Sequence, residues 1–162
     1  MNRLSDTMKK LISTIIVWSF LALVGENVKA QSGKDKEAIK AVIELETASF
    51  LNLDYKTWSS VWLKVPYAYW SYSDSSGTSY VEGWENLNKT YRDYFKNAKP
   101  SKAAVTNEWI EIRVYENGAY VHFVQKVIDE IDRDETSQIR ILEKVDGKWK
   151  VIYVGAIAIY PS

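Results

Sequence analysis

The chain has 162 residues, with 21 Lys and Arg against 21 Asp and Glu, no cysteine, seven tryptophans and eleven tyrosines. The missing cysteine excludes disulfides and a lipid-modified cysteine, and a balanced charge without a basic block removes the electrostatic footprint that nucleic-acid binding requires. The aromatic load suits either a densely filled core or the wall of a binding cavity.

Residues 1–30 carry the order of a secretory signal peptide. Arg3, Lys9 and Lys10 give a positive start, an apolar run follows from Leu11 to Val24, and Val28-Lys29-Ala30 offers a cleavage site. The run is about 14 residues, short of the about 20 that span a bilayer, so cleavage is expected and not a retained anchor. The expected product is one domain, residues 31–162, in the periplasm or secreted, with no membrane attachment after cleavage. It keeps 17 basic and 19 acidic residues. Without disulfides its stability must come from its core.

A helix is predicted over 34–52, where Ile39, Val42, Ile43 and Phe50 recur at helical spacing. Asp54 reads as the N-cap of a second, shorter helix with Trp58, Val61 and Trp62 on one side, closed by Pro66. An aromatic extended run, Val65 to Ser73, turns at Asp74-Ser75-Ser76-Gly77 and returns as Thr78 to Glu82. Gly83 introduces a third helix with Trp84, Leu87, Tyr91 and Phe95 at helical spacing, ending near Asn97. Strands follow at Trp109–Tyr115 and Ala119–Ile128, around the turn pair Asn117-Gly118. The acidic stretch Asp129–Glu135 reads as a solvated connection; it lacks the glycine and terminal glutamate of a calcium loop. A last hairpin, Ser137–Val145 and Lys148–Ile159, turns at Asp146-Gly147. The pattern predicts an α+β fold: three N-terminal helices packed on one face of a strongly bent antiparallel sheet, leaving a conical cavity.

Several motifs carry a family resemblance: Glu37-Ala38-Ile39, the Leu53-Asp54 joint followed by Trp58 and Trp62, Val81-Glu82-Gly83-Trp84-Glu85-Asn86-Leu87, and the run Arg140 to Val151. Over residues 35–159 the chain resembles the nuclear-transport-factor-like superfamily, which includes ketosteroid isomerase and the SnoaL-like cyclases. The resemblance implies a cone-shaped, cystatin-like α+β barrel, and a homodimer, as relatives often form. It leaves function open, because enzymes, binding modules and assembly domains share the architecture. The isomerases use a tyrosine on the first helix, an aspartate on the strand after the second helix and an acidic donor on the penultimate strand. Counting from Asp54 puts Glu46, Trp70 and Gln138 at those positions. None is the residue that mechanism needs.

Glu46 follows Ile39 by seven positions, about 700° of rotation, so it sits in the apolar stripe of the first helix. A carboxylate there is costly to bury unless paired or protonated. It lines the cavity as a ligand anchor or acid–base group, or it forms a structural pair with Arg140, or it reaches solvent at a rim. His122, the single histidine, lies mid-strand beside Tyr120 and Val124; it is either a proton-transfer group or a hydrogen-bonded sheet residue. Trp58, Trp62, Trp70 and Tyr91 are candidate wall residues, or they fill the core. The expected ligand-binding set is therefore Glu46, Trp58, Trp62, Trp70, Tyr91, His122, Gln138 and Arg140, with no metal site and no cofactor. Three functions fit: binding of a small apolar or aromatic molecule, an enzyme of cyclase, dehydratase or isomerase type using Glu46 and His122, and a homodimeric structural module.

Overall fold

The computed structural model describes residues 32–129 and 133–160. The predicted signal segment and the tip of the acidic connection lie outside the described residues. Helix α1 covers 32–51 and turns Ile39, Ile43 and Glu46 inward. It stops because Leu53 adopts a left-handed φ of 55°, while the Asp54 N–H donates to the Ser49 carbonyl at 2.9 Å. Asp54 then caps α2 (Tyr55–Val61), its carboxylate accepting from the Thr57 N–H at 3.0 Å. The Thr57 side chain, and then this N–H bond, hold the Asp54 pKa below its usual value. The helix is shorter than Pro66 suggests. Trp62 leaves it in extended conformation and bridges in parallel to Val151, so sheet pairing ends the helix before proline can.

Strands β1 (Tyr69–Asp74) and β2 (Gly77–Glu82) form a hairpin. Gly83 follows with a φ of 81°, and a side chain there would stand 3.2 Å from the Pro66 carbonyl, so glycine alone enters α3 comfortably. α3 (Trp84–Asn97) buries Trp84, Leu87, Tyr91 and Phe95 in one stripe. Four long strands complete the chain: β3 (Ala104–Val114), β4 (Gly118–Ile128), β5 (Arg133–Val145) and β6 (Lys148–Ala158). β5 starts earlier than the acidic stretch implies. Lys126 on β4 pairs with Glu135 at 3.5 Å, so part of the expected connection is ladder.

The sheet order is β2-β1-β6-β5-β4-β3. Two expectations are corrected here. The sheet is mixed, because β1 runs parallel to β6 while every other neighbouring pair is antiparallel. It is also open, with β2 and β3 as edges, so no barrel closes. A connection that carries α3 and four strands, β2 to β5, between β1 and β6 permits parallel pairing, which hairpin reasoning from sequence does not reveal. Register shifts at Trp109/Glu111 and Ile141/Leu142 mark bulges, the usual device for bending a sheet.

From Lys36 onward the chain is one compact unit. Its core joins Ile39 and Ile43 of α1 to Val121, Phe123, Leu142 and Val151 of the sheet, with Trp58 amid Trp62, Trp84, Tyr91 and Phe95 at ring distances of 5.8, 6.0, 5.2 and 5.3 Å. Among the described residues, no helix is long and apolar enough to cross a membrane.

Candidate functional site

Strand alternation decides which side chains can meet. On β5, Thr136, Gln138 and Arg140 face the helices; on β1, Trp70 and Tyr72 stand opposite Val154 and Ala156 of β6. Between these residues, α1 and α3 lies a cavity of about 190 Å³. Phe50, Trp58, Trp70, Tyr91, Val154 and Ala156 make its aromatic and aliphatic wall, and Glu46, Gln125, Gln138 and Arg140 supply polar groups. A larger groove of about 450 Å³ beside the start of α3 is bordered by exposed Glu82, Glu85 and Asn86 and is an open surface furrow. The smaller cavity is where buried polar chemistry collects.

Its centre is an ion pair. The Glu46 carboxylate accepts from the Trp58 indole N–H at 3.2 Å and from Arg140 Nη2 at 3.5 Å. Arg140 Nη1 donates to Gln138 Oε1 at 2.6 Å, and Gln138 Nε2 donates onward to Thr136 Oγ1 at 2.7 Å. The guanidinium also lies 5.5 Å from the Phe123 ring centre. Arg140 is 3 % exposed and Glu46 6 %, so the pair is desolvated and each charge depends on the other. Burial pulls the Arg140 pKa below its ordinary value, and Glu46 opposes that pull. Arg140 Nε is buried without a hydrogen-bond partner among the described residues. A second cluster sits beside the first: Gln125 Nε2 donates to Thr47 Oγ1 at 3.3 Å and to Asn107 Oδ1 at 3.1 Å.

Tyr91 completes the wall. Its ring meets Trp70 edge-on at 5.6 Å and Phe50 edge-on at 5.6 Å. Burial, and then the nearby Glu46 charge, push its hydroxyl far above the usual tyrosine range, so it stays protonated.

Of the residues singled out from sequence, Glu46, Trp58, Trp70, Tyr91, Gln138 and Arg140 come together on this cavity. The three positions matched to the isomerase set, Glu46, Trp70 and Gln138, all line it. Two residues are placed elsewhere. Trp62 is 2 % exposed and packs beneath Trp58, because its extended backbone carries it onto β6 and away from the wall. His122 points to the far side of the sheet: Val121 and Phe123 on either side of it are fully buried, and its Nε2 lies 3.1 Å from Ser137 Oγ. With a side-chain period of two, His122 and Glu46 stand on opposite faces and do not form a proton-transfer pair. Gln125, Thr47 and Tyr72 line the cavity without having been expected there. Gln125 carried a usable signal, since it continues the inward series Ala119, Val121, Phe123. Among the described residues no group of three His, Cys, Asp or Glu side chains converges as a metal set.

No family model matches the sequence, and no curated protein matches it. Solved structures do. An NTF2-like protein of unknown function from Shewanella oneidensis superposes with a TM-score of 0.61 at 14 % identity, over 76 % of this chain and 98 % of that one. A candidate dehydratase of the NTF2-like family from Streptomyces avermitilis gives 0.63 at 14 %, over 80 % and 99 %. A candidate ketosteroid isomerase from Parabacteroides distasonis gives 0.56 at 18 %, over 74 % and 86 %. At these identities the likeness speaks for architecture alone. The chain has the NTF2-like α+β fold, helices on an open bent sheet, which its sequence motifs resembled.

Proposed function

We propose that this domain is an exported binding module that holds a small apolar or aromatic molecule in the cavity between α1, α3 and the sheet. The observation that carries the reading is the cavity itself: about 190 Å³ bounded by Trp58, Trp70 and Tyr91, with a buried Glu46–Arg140 pair among its polar groups. Ligand sites combine such an apolar wall with a few fixed polar groups. The size suits one ring with a small substituent, because a void of about 150 Å³ suffices for benzene. Export rests on the charged, apolar and small-residue order of residues 1–30. Sequencing the amino terminus of the secreted chain tests it; a terminus retained at Met1 overturns it.

Binding is tested by thermal shift with a panel of single-ring compounds. A hit raises the melting temperature of the wild type, and Ala156→Phe, which places a ring in the void, abolishes the shift. A hit that survives Ala156→Phe is bound elsewhere and sinks the cavity.

A second reading is favoured by the outer sheet face, where Ile110, Ile141 and Ile157 are 54 %, 37 % and 55 % exposed. Exposed aliphatic side chains on one sheet face suit an isologous dimer. Light scattering of the domain decides it, and a monomer at high concentration rejects it.

A further inference from the structure

The cavity already contains one cation and one anion, and Arg140 and Glu46 offset each other. A charged ligand would leave an excess charge in a buried site, the unfavourable case. Arg140 Nε offers no anchor, since it has no accessible surface. What the cavity leaves open is a neutral donor. Tyr91 is 7 % exposed and lines the cavity, its hydroxyl is not among the fully enclosed unpartnered atoms, and its contacts among the described residues are ring contacts. Buried tyrosine hydroxyls ordinarily find a partner. The ring cannot easily swing to seek one, because Phe50, Trp58, Trp70 and Tyr94 hold it at centroid distances of 5.6, 5.2, 5.6 and 6.4 Å.

We infer that the cavity selects an uncharged, single-ring aromatic molecule bearing one accepting oxygen, such as an aryl ketone, and that Tyr91 on α3 donates to that oxygen. The inference rests on the reading of the cavity as a ligand site. Three features converge on this class. The volume admits one ring and a small group. The wall presents Trp70 and Phe50 edge-on to the Tyr91 ring, so a ligand ring can pack on the same wall that carries the donor. Burial, and then the Glu46 charge, keep the Tyr91 hydroxyl protonated, and both disfavour an anionic oxygen next to it.

The experiment compares toluene, acetophenone and benzoate, which share a ring and differ in the oxygen. Dissociation constants are measured by tryptophan fluorescence and calorimetry on the wild type and on Tyr91→Phe. Acetophenone is expected to bind the wild type about fivefold more tightly than toluene, the effect of one hydrogen bond. In Tyr91→Phe that preference disappears while toluene affinity is kept, which also shows that the variant is folded. Benzoate is expected to bind most weakly. On the wild type alone, the carbonyl stretch of bound acetophenone shifts to lower wavenumber than in hydrocarbon solvent. If toluene and acetophenone bind equally and the stretch does not move, the donor role of Tyr91 falls while the cavity stands. If benzoate binds most tightly, the uncharged class is wrong and Arg140 is the anchor. If none of the three binds, the cavity reading fails and this inference with it.

Discussion

Arg140 on β5 meets Glu46 on α1 at 3.5 Å, Nη2 to Oε2, with both side chains withdrawn from water. The two elements are held together mainly by apolar contact around Ile39, Ile43, Phe123 and Leu142, so the pair is a polar island in a greasy interface. Removing one charge leaves the other stranded. Arg140→Leu is expected to cost about 3–5 kcal/mol of unfolding free energy, whereas Glu46→Met, Arg140→Leu together cost much less than the sum of the single variants. Urea unfolding of the four proteins gives the cycle, and additive losses would show that the residues do not depend on each other.

Tyr91 sets an alkaline limit on the fold. In the unfolded chain its hydroxyl ionises near 10, while in the folded chain burial and Glu46 hold the proton well beyond that value. The protonated folded form is thus favoured in full below the ordinary tyrosine value, and the benefit is lost as pH rises from there toward the folded value. Each pH unit in that window lowers stability by up to about 1.4 kcal/mol. Tyr91→Phe is expected to flatten the alkaline limb of a stability–pH curve between about pH 10 and 12. An unchanged limb would mean that the hydroxyl is hydrated.

On the outer face, Tyr153 stacks on Tyr69 at 5.5 Å, and Tyr69 on Tyr80 at 5.8 Å. The Tyr153 ring lies over Gly155, where an added Cβ would stand 2.7 Å from its hydroxyl oxygen. Gly155→Ala is expected to cost about 1–3 kcal/mol through this crowding. In a Tyr153→Ala background the same change is nearly neutral, read by thermal unfolding. An equal cost in both backgrounds would place the strain in the backbone.

His122→Ala is expected to leave the affinity for any cavity ligand unchanged, because the imidazole contacts Ser137 on the opposite face. A tenfold loss measured by calorimetry would mean that the sheet transmits the change.

Much of this arrangement was legible from local pattern. The Leu53–Asp54 joint, the stripe from Trp84 to Phe95 and the turns at Gly77 and Gly147 depend on neighbours within a few residues, and such signals survive without knowledge of the fold. Glu46 stood out because a carboxylate broke an apolar stripe, and Arg140 was a partner already in view. The exit of Trp62 was not legible, since its extended backbone is decided by Val151, far along the chain. The parallel seam was hidden for the same reason. His122 could be assigned to an outward or inward face only once the buried neighbours Val121 and Phe123 were known to face the helices.

That seam has a consequence for how the molecule is made. Tyr69 to Ser73 lie alongside Tyr153 to Ile157, so the wall tryptophan at 70 waits for Val154, 84 positions later in the sequence (154 − 70). A chain emerging from its amino terminus therefore carries half of a lock until β6 arrives. A chain cut before β6 lacks the Val154 and Ala156 part of the cavity wall, and β1 loses its partner on that side.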